Sequence, residues 1–146
     1  MTAPEWNNLD KSASLQQWIE LLNNEARRQF LEAGTHVEIF FVFGNEGLME
    51  VVPIVGMDKD AVVRQLKKML NERDGYAFIH IAEATARHMD SDASSDMLLV
   101  HAESRDGVSV ACCSAVVLQG EKKLLLDSVK VDGSKLDGRF AGMFRE

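Results

Sequence analysis

The chain has 146 residues and two cysteines. They are neighbours, Cys112 and Cys113. Successive side chains of a strand point to opposite faces, so the pair is poorly placed to bridge itself, and no other thiol is at hand. A disulfide framework is excluded. Two free thiols beside seven methionines fit a reducing cytoplasm. Long apolar runs are also missing, far short of the roughly 20 residues that span a bilayer. The opening MTAPEWNNLDKS is polar and acidic and lacks the apolar centre of a signal peptide. The chain is poor in basic charge, with 16 Lys and Arg against 23 Asp and Glu, a net charge of -7. Such a field repels phosphate backbones, so no nucleic acid is expected as a partner. The short basic pairs Arg27-Arg28 and Lys67-Lys68 read as solvated helix faces. No G-x-x-x-x-G-K-[ST], G-x-G-x-x-G or G-x-S-x-G occurs, which removes the phosphate-cradle and nucleophile-elbow classes. The aromatics do not alternate with basic residues as a single-strand stacking platform requires.

What is present is an ordinary globular mix, 46% hydrophobic and 27% charged. A chain of this length buries about two-thirds of its extended surface, so it needs neither a disulfide nor a metal for stability. No repeat, low-complexity stretch or interdomain linker divides it. One domain over residues 1–146 is expected, with 1–11 as a loose lead-in and 132–146 as a glycine-rich tail.

Leu15, Trp18, Ile19, Leu22, Ala26 and Phe30 recur at helical spacing, which predicts a helix from about Ser14 to Ala33. Ser14 with Gln17 reads as a capping box and Gly34 as the stop. Gln16, Glu20, Asn24 and Arg27 fall on the wet face. HVEIFFVF, His36 to Phe43, is apolar on both pleat faces and reads as an interior strand. Gly44 to Gly47 is a hairpin connection to LMEVVPIV, where Pro53 marks an edge or a strand end. Asp58 caps a second helix that buries Val62, Val63, Leu66, Met69 and Leu70 and stops at Gly75. Tyr76 to Ala86 is a third strand, although AEATARHM also suits a helix. Strands from Met97, Val108 and Lys123 follow, turned at Asp106-Gly107 and Gln119-Gly120. The order α-β-β-α-β-β-β-β predicts an α+β fold: a largely antiparallel sheet of five or six strands with two packed helices.

Candidate chemistry concentrates between His80 and His101. His80, His88 and His101 are conceivable zinc ligands for a metal-dependent hydrolase or ligand-binding protein. The spacing argues otherwise, because no H-x-H pair and no helical His pair is present, and alternation along strands scatters the rings. Asp90, Asp92 and Asp96 offer hard oxygens, but the frame lacks the glycine and terminal glutamate of a calcium loop. A metal-dependent deubiquitinase motif fails too, since Arg87-His88 breaks its H-x-H and Asp96 stands in place of its serine. Cys112 or Cys113 is a nucleophile only with a histidine beside it, and no family signature surrounds the pair. The balance favours half-buried strand histidines and a solvated acidic loop, hence no catalytic, cofactor or metal residues.

HVEIFFVF with its following helix, AFIHIAEATA, ESRDGVSV and the terminal GRFAGMF resemble small proteins of bacteria and their phages. In these a strand–hairpin–helix unit leads into an "SEAW"-like strand and an "EDRDG" hairpin. Alanine and threonine replace the aromatic of the SEAW-like strand here. The resemblance implies no activity and no site. The reading that follows is a non-catalytic, cytoplasmic protein-binding domain with an acidic surface. Its partner is a protein, with a basic surface favoured by charge complementarity, or a second copy paired through the strand beside Pro53 or the Met97–His101 strand. An exposed docking role is open to Phe140, Met143 and Phe144, as is packing of the tail onto the body.

Overall fold

The computed structural model describes residues 3–56, 58–87 and 94–132. Among them two helices and seven strands form: α1 (Lys11–Ala33), β1 (Ile39–Gly44), β2 (Gly47–Pro53), α2 (Lys59–Glu72), β3 (Ala77–Arg87), β4 (Ser94–Ser104), β5 (Ser109–Gln119), β6 (Lys122–Leu125) and β7 (Val129–Asp132). The fold is α+β and the sheet antiparallel throughout, in the order β2-β1-β3-β4-β5-β6, with β7 also on β5. No described helix is long and apolar enough to cross a membrane.

The doubly apolar pattern of β1 has the consequence it predicts. Phe41 and Phe43 join the core under α1, with Leu15, Ile19, Ala26, Phe30, Ile79 and Val100. Phe40 and Val42 face the other way, onto Val62, Leu66 and Leu70 of α2. The helices therefore sit on opposite faces of the β1–β3 centre. β2 is an edge, and Pro53 is its last residue, as a missing N–H requires. The Met97–His101 strand is not an edge. It lies between β3 and β5, with its backbone committed on both sides, so it offers no free ladder to a second copy.

Several local expectations change. α1 starts earlier, capped by Asp10, which accepts from the Ala13 N–H at 3.1 Å. Ser14 is buried and donates to the Asp10 carbonyl instead of capping. The lead-in is tied down by Trp6, which stacks on Phe43 at 5.5 Å and donates to the Asn45 carbonyl. Its side chain leaves little room at Gly47, where a Cβ would meet it at 3.3 Å and the positive φ of +113° favours glycine in any case. After α2 the left-handed position falls on Asp74, φ 51°, not on Gly75. Gly75 is required for another reason: a Cβ there would lie 2.8 Å from Leu70 Cα.

The final apolar run, expected as one strand, is two. β6 pairs with Val116–Gln119 and β7 with Val110–Cys113, and the register slips by one residue between them. Leu126–Ser128 thus form a bulge. α1 holds it: Arg27 donates to the Leu126 carbonyl at 2.8 Å and to Ser114 Oγ at 2.6 Å, and Asn23 donates to Ser128 Oγ. Arg27 is half-buried on this contact, not on a wet face. Replacing it strips the donor from a buried hydroxyl and a carbonyl, a loss of about 1–3 kcal/mol. Arg27→Met is expected to lower the free energy of unfolding in urea by that amount, with a lower midpoint, while Glu20→Ala, on an exposed position, stays close to wild type; equal midpoints for the two variants would contradict this docking.

Candidate functional site

The β3–β4 register answers where the histidines go. His80 stands directly opposite His101. Antiparallel pairing puts such partners on the same face, so two of the three rings are gathered and not scattered, contrary to the sequence expectation. His88, Asp90 and Asp92 lie outside the described residues. Both paired rings are on the α2 side and buried, His80 at 6% and His101 at 3% exposure.

The surroundings decide what these rings can do. His80 stacks on Phe40 at 4.2 Å, nearly parallel, and His101 meets the edge of Phe78 at 5.7 Å. The Nε2 of His80 is 2.8 Å from Glu38 Oε2, and Glu38 also pairs with Lys59 at the start of α2. Burial, with the Lys59 ammonium nearby, pushes the His80 pKa down to about 3; burial and then His80 itself hold His101 at about 4. Both imidazoles are therefore neutral at pH 7, with His80 donating Nε2–H to the shared carboxylate. His101 Nε2 lies 3.3 Å from Glu103 Oε2 without hydrogen-bond geometry. Rings so poorly basic, closed off from solvent, are ill suited to proton transfer near neutrality. Among the described residues no group of three or more His, Cys, Asp or Glu side chains is arranged to hold a metal ion.

Sequence reasoning missed Glu38, Lys59 and Glu103. The available signal was parity: Glu38 shares the pleat face of Phe40 and Val42, and Phe40 pairs with His80. Lys59 had no such signal, because its approach depends on how α2 crosses the sheet.

The thiols behave as expected of a strand pair. Cys112 is buried on the α1 side and Cys113 is half-buried opposite Leu99. Burial raises both pKa values, so neither is an activated thiolate. His101 pairs with Ala111, not with a cysteine.

A hollow of about 340 Å³ opens at the other end of β3, lined by Lys11, Asn71, Tyr76, Arg105 and Asp106 among others. Its polar groups serve one another. Arg105 donates to the Leu70 and Gly75 carbonyls at 2.6 and 2.9 Å, closing the end of α2. Tyr76 donates to Asp106 at 2.9 Å, and Ser104 also donates to that carboxylate. Burial and Asp106 push the Tyr76 pKa up to about 12, so it remains a phenol. The ESRDG turn is thus a clamp between the β4–β5 hairpin and the start of β3. No protein-family model, no curated protein and no solved structure matches this chain.

The histidine pair predicts a pH response. A pKa lowered in the fold from 6.5 favours the neutral form there, while the unfolded chain takes up protons. Stability from each ring is complete above pH 6.5 and is lost as pH falls toward the folded values. Between about pH 6.5 and 5, above the carboxylate range, each ring should cost about 1–2 kcal/mol. Urea unfolding across that window checks it: His101→Phe should show a visibly shallower decline than wild type, and parallel curves would refute the assignment.

Proposed function

We propose that this chain is a non-catalytic protein-binding domain whose partner docks on the outer strands of the sheet. The supporting observation is an open apolar strip on one face. Val129 and Val131 of β7 are 58% and 39% exposed, and Val117 of β5, on the same pleat face, is 39% exposed. Small side chains flank it, Ala115 and the half-buried Cys113. Neighbouring exposed valines on a regular surface suit an apolar contact, whereas isolated ones call for no explanation. The net charge of -7 favours a partner with a basic rim through long-range attraction. The two unbridged thiols suit a reducing cytoplasm.

A second copy of the chain is the other occupant of this strip. Its support is that, among the described residues, β6 and β7 lie outermost in the sheet beside this face. The paired variant Val129→Glu/Val131→Glu tests both readings. It alters exposed positions and is expected to unfold within about 0.5 kcal/mol of wild type. Affinity capture should retain a partner with wild type and lose it with the variant. Light scattering at high protein concentration should show a mass drop only if the partner is a second copy. Identical capture and identical mass for both proteins would reject the strip as the binding surface.

A further inference from the structure

The sheet face that carries α1 is buried unevenly. α1 runs across β3, β4 and β6, and Ile79, Ile81, Leu98 and Val100 beneath it are buried. On the same face of β1 and β2 the register sets Ile39 beside Pro53, Phe41 beside Val51 and Phe43 beside Leu48. Here the apolar side chains meet water. Val51 is 43% exposed, Leu48 42% and Val37, in line before Ile39, 46%. Pro53 is exposed too, while Ile39 and Phe41 are half-buried. A contiguous apolar strip of this kind marks an interaction site.

We propose that this strip seats an amphipathic helix of a partner protein, one that carries basic residues along its flanks. The spacing suits a helix. Strands lie about 4.8 Å apart, so the β1–β2 midline is about 10 Å from the β3–β4 midline under α1, the usual distance between packed helix axes. From Val37 to Phe43 the strip runs roughly 20 Å, the length of about 13 helical residues. α1 forms one wall, where Trp18 meets Phe43 edge-on at 5.3 Å. An incoming strand is served less well by the edge of β2. Ile54 turns its N–H inward to the Glu38 carbonyl, so alternation turns Pro53 outward, where its missing N–H interrupts the ladder. The flanking charge selects the partner. Glu25, two turns beyond Trp18, overlooks the strip from α1; Glu83 accepts from Thr35 and the His36 N–H at the Val37 end; Glu46 is exposed at the hairpin tip. Arg28 is bonded to Glu25 and Glu32, and Lys11 is bonded to Asn45 over the Tyr76 ring, which leaves the frame net negative. Lysine or arginine beside an apolar stripe complements it. A second copy is disfavoured, because a twofold contact would bring two acidic frames together. This surface is separate from the strip of Val117, Val129 and Val131, which lies on the α2 side near the other end of the sheet.

The test titrates the full, isotope-labelled chain with a synthetic peptide of about 14 residues, leucine and lysine set at helical spacing. Amide shifts should concentrate on Val37–Phe41 and Leu48–Val52. Leu48→Lys/Val51→Lys changes exposed positions and should keep the wild-type unfolding midpoint while weakening binding roughly tenfold or more. Val129→Glu/Val131→Glu should bind the peptide as wild type does. A peptide of the same composition in scrambled order, and one with glutamate in place of lysine, should each bind roughly tenfold more weakly. Shifts that are absent or fall elsewhere, unchanged affinity in Leu48→Lys/Val51→Lys, or equal binding of the control peptides overturns the proposal. So do shifts at the strip on simple dilution without peptide, which would put a second copy there.

Discussion

β3 has to be dry on both faces, and the rest of the architecture answers to that demand. Ile79 and Ile81 point to α1, Phe78 and His80 to the α2 side, and all four are buried. One helix satisfies one face of a strand. Two helices on opposite faces are therefore the least that this strand accepts, and the chain places one before β1 and one after β2. The β1–β2 hairpin between them carries α2 across to its side. β4 and β5 continue the sheet under α1, where Val100, Ala102 and Cys112 extend the same core.

Such dryness sets terms for any polar group inside it. His80 is admitted as a neutral ring stacked on Phe40, with its one donor given to Glu38. Arg27 and Arg105 meet the same terms differently. Each keeps its charge near the surface and spends its donors on backbone carbonyls that no strand or helix satisfies. The three residues look alike in a hydropathy profile, yet they serve as filler, strut and clamp.

Element types were legible because periodicity is local. The 3.6-residue stripe of α1, the two-sided apolar run of β1 and the Pro53 stop all acted through neighbours a few residues away. Boundaries and caps were less so. Asp10 outcompeted Ser14 because Trp6 anchors the preceding chain on Phe43, a contact between residues far apart in sequence. The histidine pairing was illegible for a related reason. Parity tells which face a side chain takes, but only register tells which one it meets, and the alternation along β3 and β4 does not by itself fix their register. Likewise, nothing in KLLLDSVKV announces its slip. Asp127 and Ser128 suggest a turn at most, and the slip is held by Arg27 and Asn23 from the first helix.

That slip has an effect on the protein's life in a crowded solution. A straight final strand would have presented an uninterrupted row of backbone donors and acceptors along β5, a template on which another molecule's strand can zip up. Instead the border is cut into two pieces of four residues each, Lys122–Leu125 and Val129–Asp132. Short, kinked borders studded with lysine and aspartate nucleate fibrillar stacking poorly. Among the described residues, the exposed valines of this border sit on strands too short to offer a neighbour a continuous ladder to extend.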